Sequence, residues 1–194
     1  MAEKIFNIWA RRSPQWETKY EDKLIRVFCD YKRGVNQFQD ARAKVFGAGY
    51  ELFIVAFFIG LYYDKLKPLN KAQCKDFGWA IQHWGNIESR NGRIPYPEII
   101  KYIFTALVAK ADIDWLAVDK DEISNRKAVD ILIDIMEEYA NFGFSFLLEK
   151  LENNPNCFYT ETGFFDIFLD FINGADNKDS NYTSSAEIEA ESLD

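Results

Sequence analysis

A chain of 194 residues that is 48% hydrophobic and 16% aromatic is long enough to enclose its own core and too apolar to be disordered throughout. Its net charge of −8 weighs against indiscriminate adhesion to nucleic acid. Three widely spaced cysteines, Cys29, Cys74 and Cys157, with one histidine and no CxxC pair, predict neither a disulfide framework nor a zinc site.

The first ten residues set Glu3 beside Lys4 and contain only a short apolar stretch, which does not read as a secretory signal. Lys4 to Trp9 is the one stretch whose alternation suits a short strand. Ser13-Pro14 pairs a cap with a proline suited to a first helical position, and Trp16, Tyr20, Leu24 and Phe28 recur every four residues, predicting a helix to about Asp30. The pattern weakens from Val35 to Gly49. A helix over about 50–65 follows, apolar nearly all round and therefore central. Its apolar run, Leu52 to Tyr63, is well short of the roughly 20 residues that span a bilayer. Pro68 stops it, and Asn70 is placed to cap a helix carrying Cys74, Phe77, Ile81 and Trp84. Asn86 to Pro95 reads as a polar loop. Pro97 restarts a helix whose apolar face is Ile100, Ile103, Phe104, Leu107 and Val108.

Ser124 is a cap for the longest helix, about Asn125 to Glu152, with Val129, Leu132, Ile133, Met136, Tyr139 and Ala140 as its buried stripe and Gly143 a point of bending. A last helix starts near Thr162, with Phe164, Phe165, Phe168, Leu169 and Ile172 as its face, and Gly174 is placed to end it. Beyond it the composition cannot bury enough apolar area to order itself. The sequence thus predicts an all-α, compact single-domain bundle of about six to eight helices around the hydrophobic central helix (about 50–65). The globular domain is 1–173, and 174–194 is a disordered acidic tail.

His83 is the natural candidate for acid–base chemistry, oriented by a carboxylate from elsewhere in the fold, and Asp76 and Glu88 are further catalytic candidates. On a helix, Asp76, Trp79, Gln82, His83 and Asn86 share one side. The loop 85–93 adds Arg90 and Arg93, so Trp79, Gln82, Asn86, Arg90 and Arg93 are candidates for holding an anion. No GxxxxGK or GxGxxG pattern accompanies them. The simpler reading is a histidine packed on Trp79 beside a solvated connector. Paired carboxylates near aromatics, as in Glu51, Asp76 and Glu88 with Trp79, Trp84 and Trp115, suit a glycosidase, yet no spacing singles out a pair. Asp112, Asp114, Asp119, Asp121 and Glu122 cluster without the glycine of a calcium loop, and Asp121-Glu122 suits a helix N-terminus instead. No metal and no cofactor is expected.

Charge is unevenly distributed. Residues 1–45 carry a net of +4, residues 46–173 a net of −7, and the remainder −5. Arg11, Arg12, Lys23, Arg26, Arg33, Arg42 and Lys44, with Trp9, Tyr31 and Phe38 among them, suit phosphate contacts and base stacking. The interleaved Glu17, Glu21, Asp22, Asp30 and Asp40 suit an ion-paired helix face instead. Glu187, Glu189, Glu191 and Asp194 form a tail able to compete for that basic third. The leading expectation is a non-catalytic, cytoplasmic interaction or accessory protein acting with a protein partner in a larger assembly, with no membrane contact. A small enzyme built around His83 and the 85–93 loop, and nucleic-acid binding through the basic N-terminal third, are the alternatives.

Overall fold

In the computed structural model, the described residues are 2–29, 45–85, 96–158 and 162–174. The fold is all-α. In chain order it has α1 (Ala2–Ala10), a three-residue strand β1 (Gln15–Glu17), a 3-10 turn (Thr18–Tyr20), a π-helical turn (Glu21–Ile25) and the short α2 (Arg26–Phe28). Then come α3 (Gly49–Tyr63), β2 (Cys74–Asp76), α4 (Pro97–Lys110), α5 (Trp115–Asp119) and α6 (Asn125–Asn153). A last helix, α7, covers 163–174. The chain divides into two compact units, Met1–Glu149 and Lys150–Asp194. Among the described residues no helix is long and apolar enough to cross a membrane.

The centre of the first unit is α3, as its uniform hydrophobicity predicts. Leu52, Phe53, Ala56, Phe57 and Ile59 are all fully buried. It crosses α6 so closely that a Cβ on Gly60 would collide with the Tyr139 carbonyl, and one on Gly143 with the Ala56 carbonyl. Gly143 is thus required for a backbone-to-backbone approach. Aromatic rings fill the space on either side, with Phe53 against Phe144 and Phe57 edge-on to Tyr139. The helix ends where Asp64 turns left-handed (φ 50°), and the Asp64 carboxylate accepts from Lys110 and Tyr139.

Several local expectations are corrected. Lys4 to Trp9 is helical, and Ile5 and Trp9, four apart, are buried in α1 together with Ala10. Ser13-Pro14 leads into a strand, because Gln15–Glu17 pairs antiparallel with Cys74–Asp76, Trp16 opposite Lys75. The stripe Trp16, Tyr20, Leu24, Phe28 is nevertheless fully buried; strand and wide π turn keep these side chains inward. Asn70 accepts from the Ala72 amide and caps only a 3-10 turn (Lys71–Gln73). The helix expected over Cys74 to Trp84 is absent: Asp76 accepts from the Gly78 amide at 2.6 Å and Gly78 has φ 69°, a turn that ends the strand. Ser124 does cap α6, accepting from the Lys127 amide at 3.2 Å.

In the second unit, Phe158 stacks on Phe164 with centroids 4.4 Å apart. The buried apolar side chains of α7 are Phe164, Ile167 and Phe171, whereas Phe165, Leu169 and Ile172 are exposed. Its buried stripe is therefore rotated from the one the sequence predicts. The acidic tail beyond Gly174 lies outside the described residues.

Candidate functional site

His83 closes a 3-10 turn (Ile81–His83) and is exposed, with its Nε2 3.1 Å from the Gln82 amide nitrogen. Trp79 is half exposed, and Asp76 spends its Oδ1 on Gly78. Because 74–84 is not a helix, the side shared by Asp76, Trp79, Gln82 and His83 does not form. Asn86, Glu88, Arg90 and Arg93 lie outside the described residues, as do Arg33, Arg42 and Lys44. Of the remaining basic candidates, Arg12 pairs with Asp130 across to α6, and Arg26 pairs with Glu21 and Asp22. Arg11 and Lys23 are exposed. Asp112, Asp114, Asp119, Asp121 and Glu122 form no metal-binding group, and none exists among the described residues. Asp114 instead caps α5 through the Leu116 and Ala117 amides.

A concave surface does form, at the N-terminal ends of α3 and α4. Tyr50 stacks on Trp84 at 5.6 Å and accepts from the Gly85 amide at 3.1 Å. The Glu51 carboxylate accepts from the Gly47 amide at 2.8 Å and the Tyr96 hydroxyl at 3.3 Å. Consecutive residues of α3 thus tie down Gly85, Gly47 and Tyr96. Two hollows open on either side of Tyr96. One, about 240 Å³, is lined by Phe6, Ala10, Trp84, Tyr96, Pro97 and Ile100, with Gln82 and Lys101 as its polar members. The other, about 210 Å³, is lined by Phe46, Glu51, Ile54, Tyr96 and Ile99. Both are smaller than the roughly 300 Å³ at which pockets for drug-sized ligands begin, and larger than the roughly 150 Å³ that encloses a benzene ring. Each suits one inserted side chain. Beside them Ile99 and Tyr102, three apart on α4, are exposed, Tyr102 at 68%. Of the described candidate residues, Gln82 and Trp84 line the first hollow and Glu51 the second.

A second constellation has no counterpart in the sequence reading. Glu17, Glu21, Glu137 and Asn141 are the buried polar residues of the described chain. Glu137, on α6, accepts from the Gln15 amide at 2.8 Å and from Lys71 at 2.7 Å. Burial pushes its carboxyl above the usual range, against the pull of Lys71. Burial also acts on Glu17, but Lys19, the Asn70 amide and Asn141 hold its carboxyl below the ordinary value. Lys75 and then Arg26 lower that of Glu21. Asn141 donates to Glu17 and to the carbonyls of Lys67 and Pro68. The Ser145 hydroxyl lies between the Lys67 ammonium and the Tyr20 hydroxyl. Every carboxylate here is engaged by cations or amide donors, so the cluster joins β1, β2 and the segment before β2 to α6. One local signal pointed to it: Glu137 and Asn141 fall on the stripe otherwise made of Ile133, Met136, Ala140 and Phe144.

The chain matches no protein-family model, no curated protein and no solved structure.

Proposed function

We propose that the protein is a non-catalytic interaction module that works within a larger assembly and engages a protein partner through the α4 face around Tyr96. The observation that carries this reading is the pair of apolar hollows flanking Tyr96, next to exposed Ile99 and Tyr102. Side-chain-sized hollows beside exposed aromatic and aliphatic residues match the anchoring geometry of protein interfaces. We assign its work to the cytoplasm, in keeping with three cysteines present as thiols.

The test is a tagged pull-down from the native host, with and without nuclease, comparing the wild type with an Ile99→Ser/Tyr102→Ser double variant. A stoichiometric protein partner that survives nuclease and is lost from the variant supports the proposal. Partners that disappear with nuclease favour nucleic-acid binding. A protein partner retained in full by the variant overturns the assignment to this face.

A further inference from the structure

The segment 65–76, between the end of α3 and Phe77, is unusual in what holds it. None of its twelve residues is buried. Its anchors lie outside it: Asp64 is fixed by Lys110 and Tyr139, and Phe77 packs on Trp16 and Phe53. Between them the ties to the body are polar. The Lys67 amide donates to the Glu138 carbonyl, Asn141 holds the carbonyls of Lys67 and Pro68, and the Asn70 amide donates to Glu17. Lys71 reaches Glu137 and Asp134, and Lys75 reaches Glu21 at 2.6 Å. The Lys67 ammonium against the Ser145 hydroxyl and the three pairs of the β1–β2 ladder add to the attachment. Glu17, Glu21 and Glu137 are more than nine-tenths buried, whereas Asp134 and the Lys71 and Lys75 side chains are about half exposed.

From this pattern we infer that segment 65–76 is an electrostatically fastened strap, which lifts from the body while α3 and α6 stay folded and in lifting uncovers the carboxylates of Glu17, Glu21 and Glu137. Local opening is easiest where few apolar contacts must be broken, and here no buried side chain of the segment holds it down. Ion pairs with a solvent-exposed cation weaken as salt rises, whereas the apolar packing of α3 on α6 does not. Raising sodium chloride therefore loosens the strap and leaves the body closed.

Hydrogen exchange on the full chain, read by mass spectrometry at low and at 1 M sodium chloride, tests this. The protected amides of 65–76 should exchange at least tenfold faster than those of α3 and α6, and several-fold faster still in high salt. Lys71→Gln/Lys75→Gln, both at exposed positions, should accelerate 65–76 about tenfold without altering α3 or α6. Carbodiimide labelling of the wild type gives an independent reading, with Glu137 modified in step with strap opening. Exchange of 65–76 at the same rate as α3 and α6, or a lysine variant that accelerates all three equally, overturns the inference. Labelling of Glu137 only under conditions that unfold α6 overturns it as well.

Discussion

Replacing Gly143 by alanine sets two effects of opposite sign against each other. Alanine is a better helix former than glycine by about 1 kcal/mol in a helix interior, so on local propensity alone Gly143→Ala stabilises α6. The crossing with α3 forbids this. Non-bonded carbons need about 3.5 Å, and the new Cβ would lie more than an ångström inside that distance from the Ala56 carbonyl. Backbone cannot rotate aside as a side-chain tip does, so the helices must part by on the order of 1 Å, a gap that forfeits a quarter to a half of each dispersion contact across it. The contacts at stake include Phe53–Phe144 and Phe57–Tyr139. Overpacking of this kind costs about 1–3 kcal/mol and at times more. With the overpacking cost at its upper end and the propensity gain subtracted, a net loss of about 2 kcal/mol is expected, or roughly 4–8 °C in Tm for a chain of this size. Urea titration and calorimetry measure it directly. Gly60→Ala, which meets the Tyr139 carbonyl at the same crossing, should cost a similar amount. The double variant should cost less than the sum, because helices already parted by one methyl admit the second. A Gly143→Ala protein as stable as the wild type, or more so, would refute the reasoning.

The buried acids give two substitutions whose pH dependences run in opposite directions. The folded-state carboxyl of Glu137 is raised, so its contribution is fully present below the unfolded value and is lost as pH rises through the folded one. The stability of Glu137→Gln relative to wild type should therefore improve between pH 4 and pH 7. Glu21 is lowered, chiefly by Lys75, so its contribution is present above the unfolded value and lost as pH falls through the folded one. Glu21→Gln should lose ground to wild type over the same interval, and urea midpoints at each pH that move together contradict both assignments. Cys29 is fully buried and its thiol is pushed upward by burial and by Glu51. It should react with a disulfide reagent at pH 8 on the order of a hundredfold more slowly than in the unfolded chain, and an equal rate in both states would show that its site is open.

How far the fold is legible depends on whether its determinants are local. The central place of α3 follows from hydrophobicity on all sides, the start of α4 from Pro97, and the start of α6 from the Ser124 cap. Each uses residues within a turn or two of the feature. Cys74 to Trp84 fails as a helix because its 3–4 spacing is equally consistent with a strand and two turns. The deciding partners are Gln15–Glu17, some sixty residues earlier. The hollows beside Tyr96 were similarly out of reach. Phe6, Phe46, Trp84 and Ile99 have no spacing in common, and only the packing of α1 and α3 against α4 brings them together. Glu137 was closer to hand, since an acid on an otherwise apolar stripe implies a buried partner. What no spacing supplies is that the partners are Lys71 and the Gln15 amide.

Charge shows the same gap between chain and fold. The net of +4 over the first 45 residues suggests a basic face, but the sum along the chain counts cations that the fold spends internally. Lys19 is paired with Glu17 and Arg26 with Glu21 and Asp22, all within that third, while Arg12 is paired with Asp130 on α6. Traffic also runs the other way: Glu17 and Glu21, counted as acids of the basic third, are engaged by Asn70 and Lys75 from the segment before and within β2. A phosphate would have to compete with carboxylates already within hydrogen-bond distance of these cations, two of them, Glu17 and Glu21, buried. The hollows beside Tyr96 are lined mainly by apolar side chains, with Glu51 and Lys101 as their charged members, and Lys101 pairs with Glu98 in an exposed bridge worth little. The proposed recognition by shape around Tyr96 is favoured over recognition by charge along the N-terminal third because Arg12, Lys19 and Arg26 are already paired there.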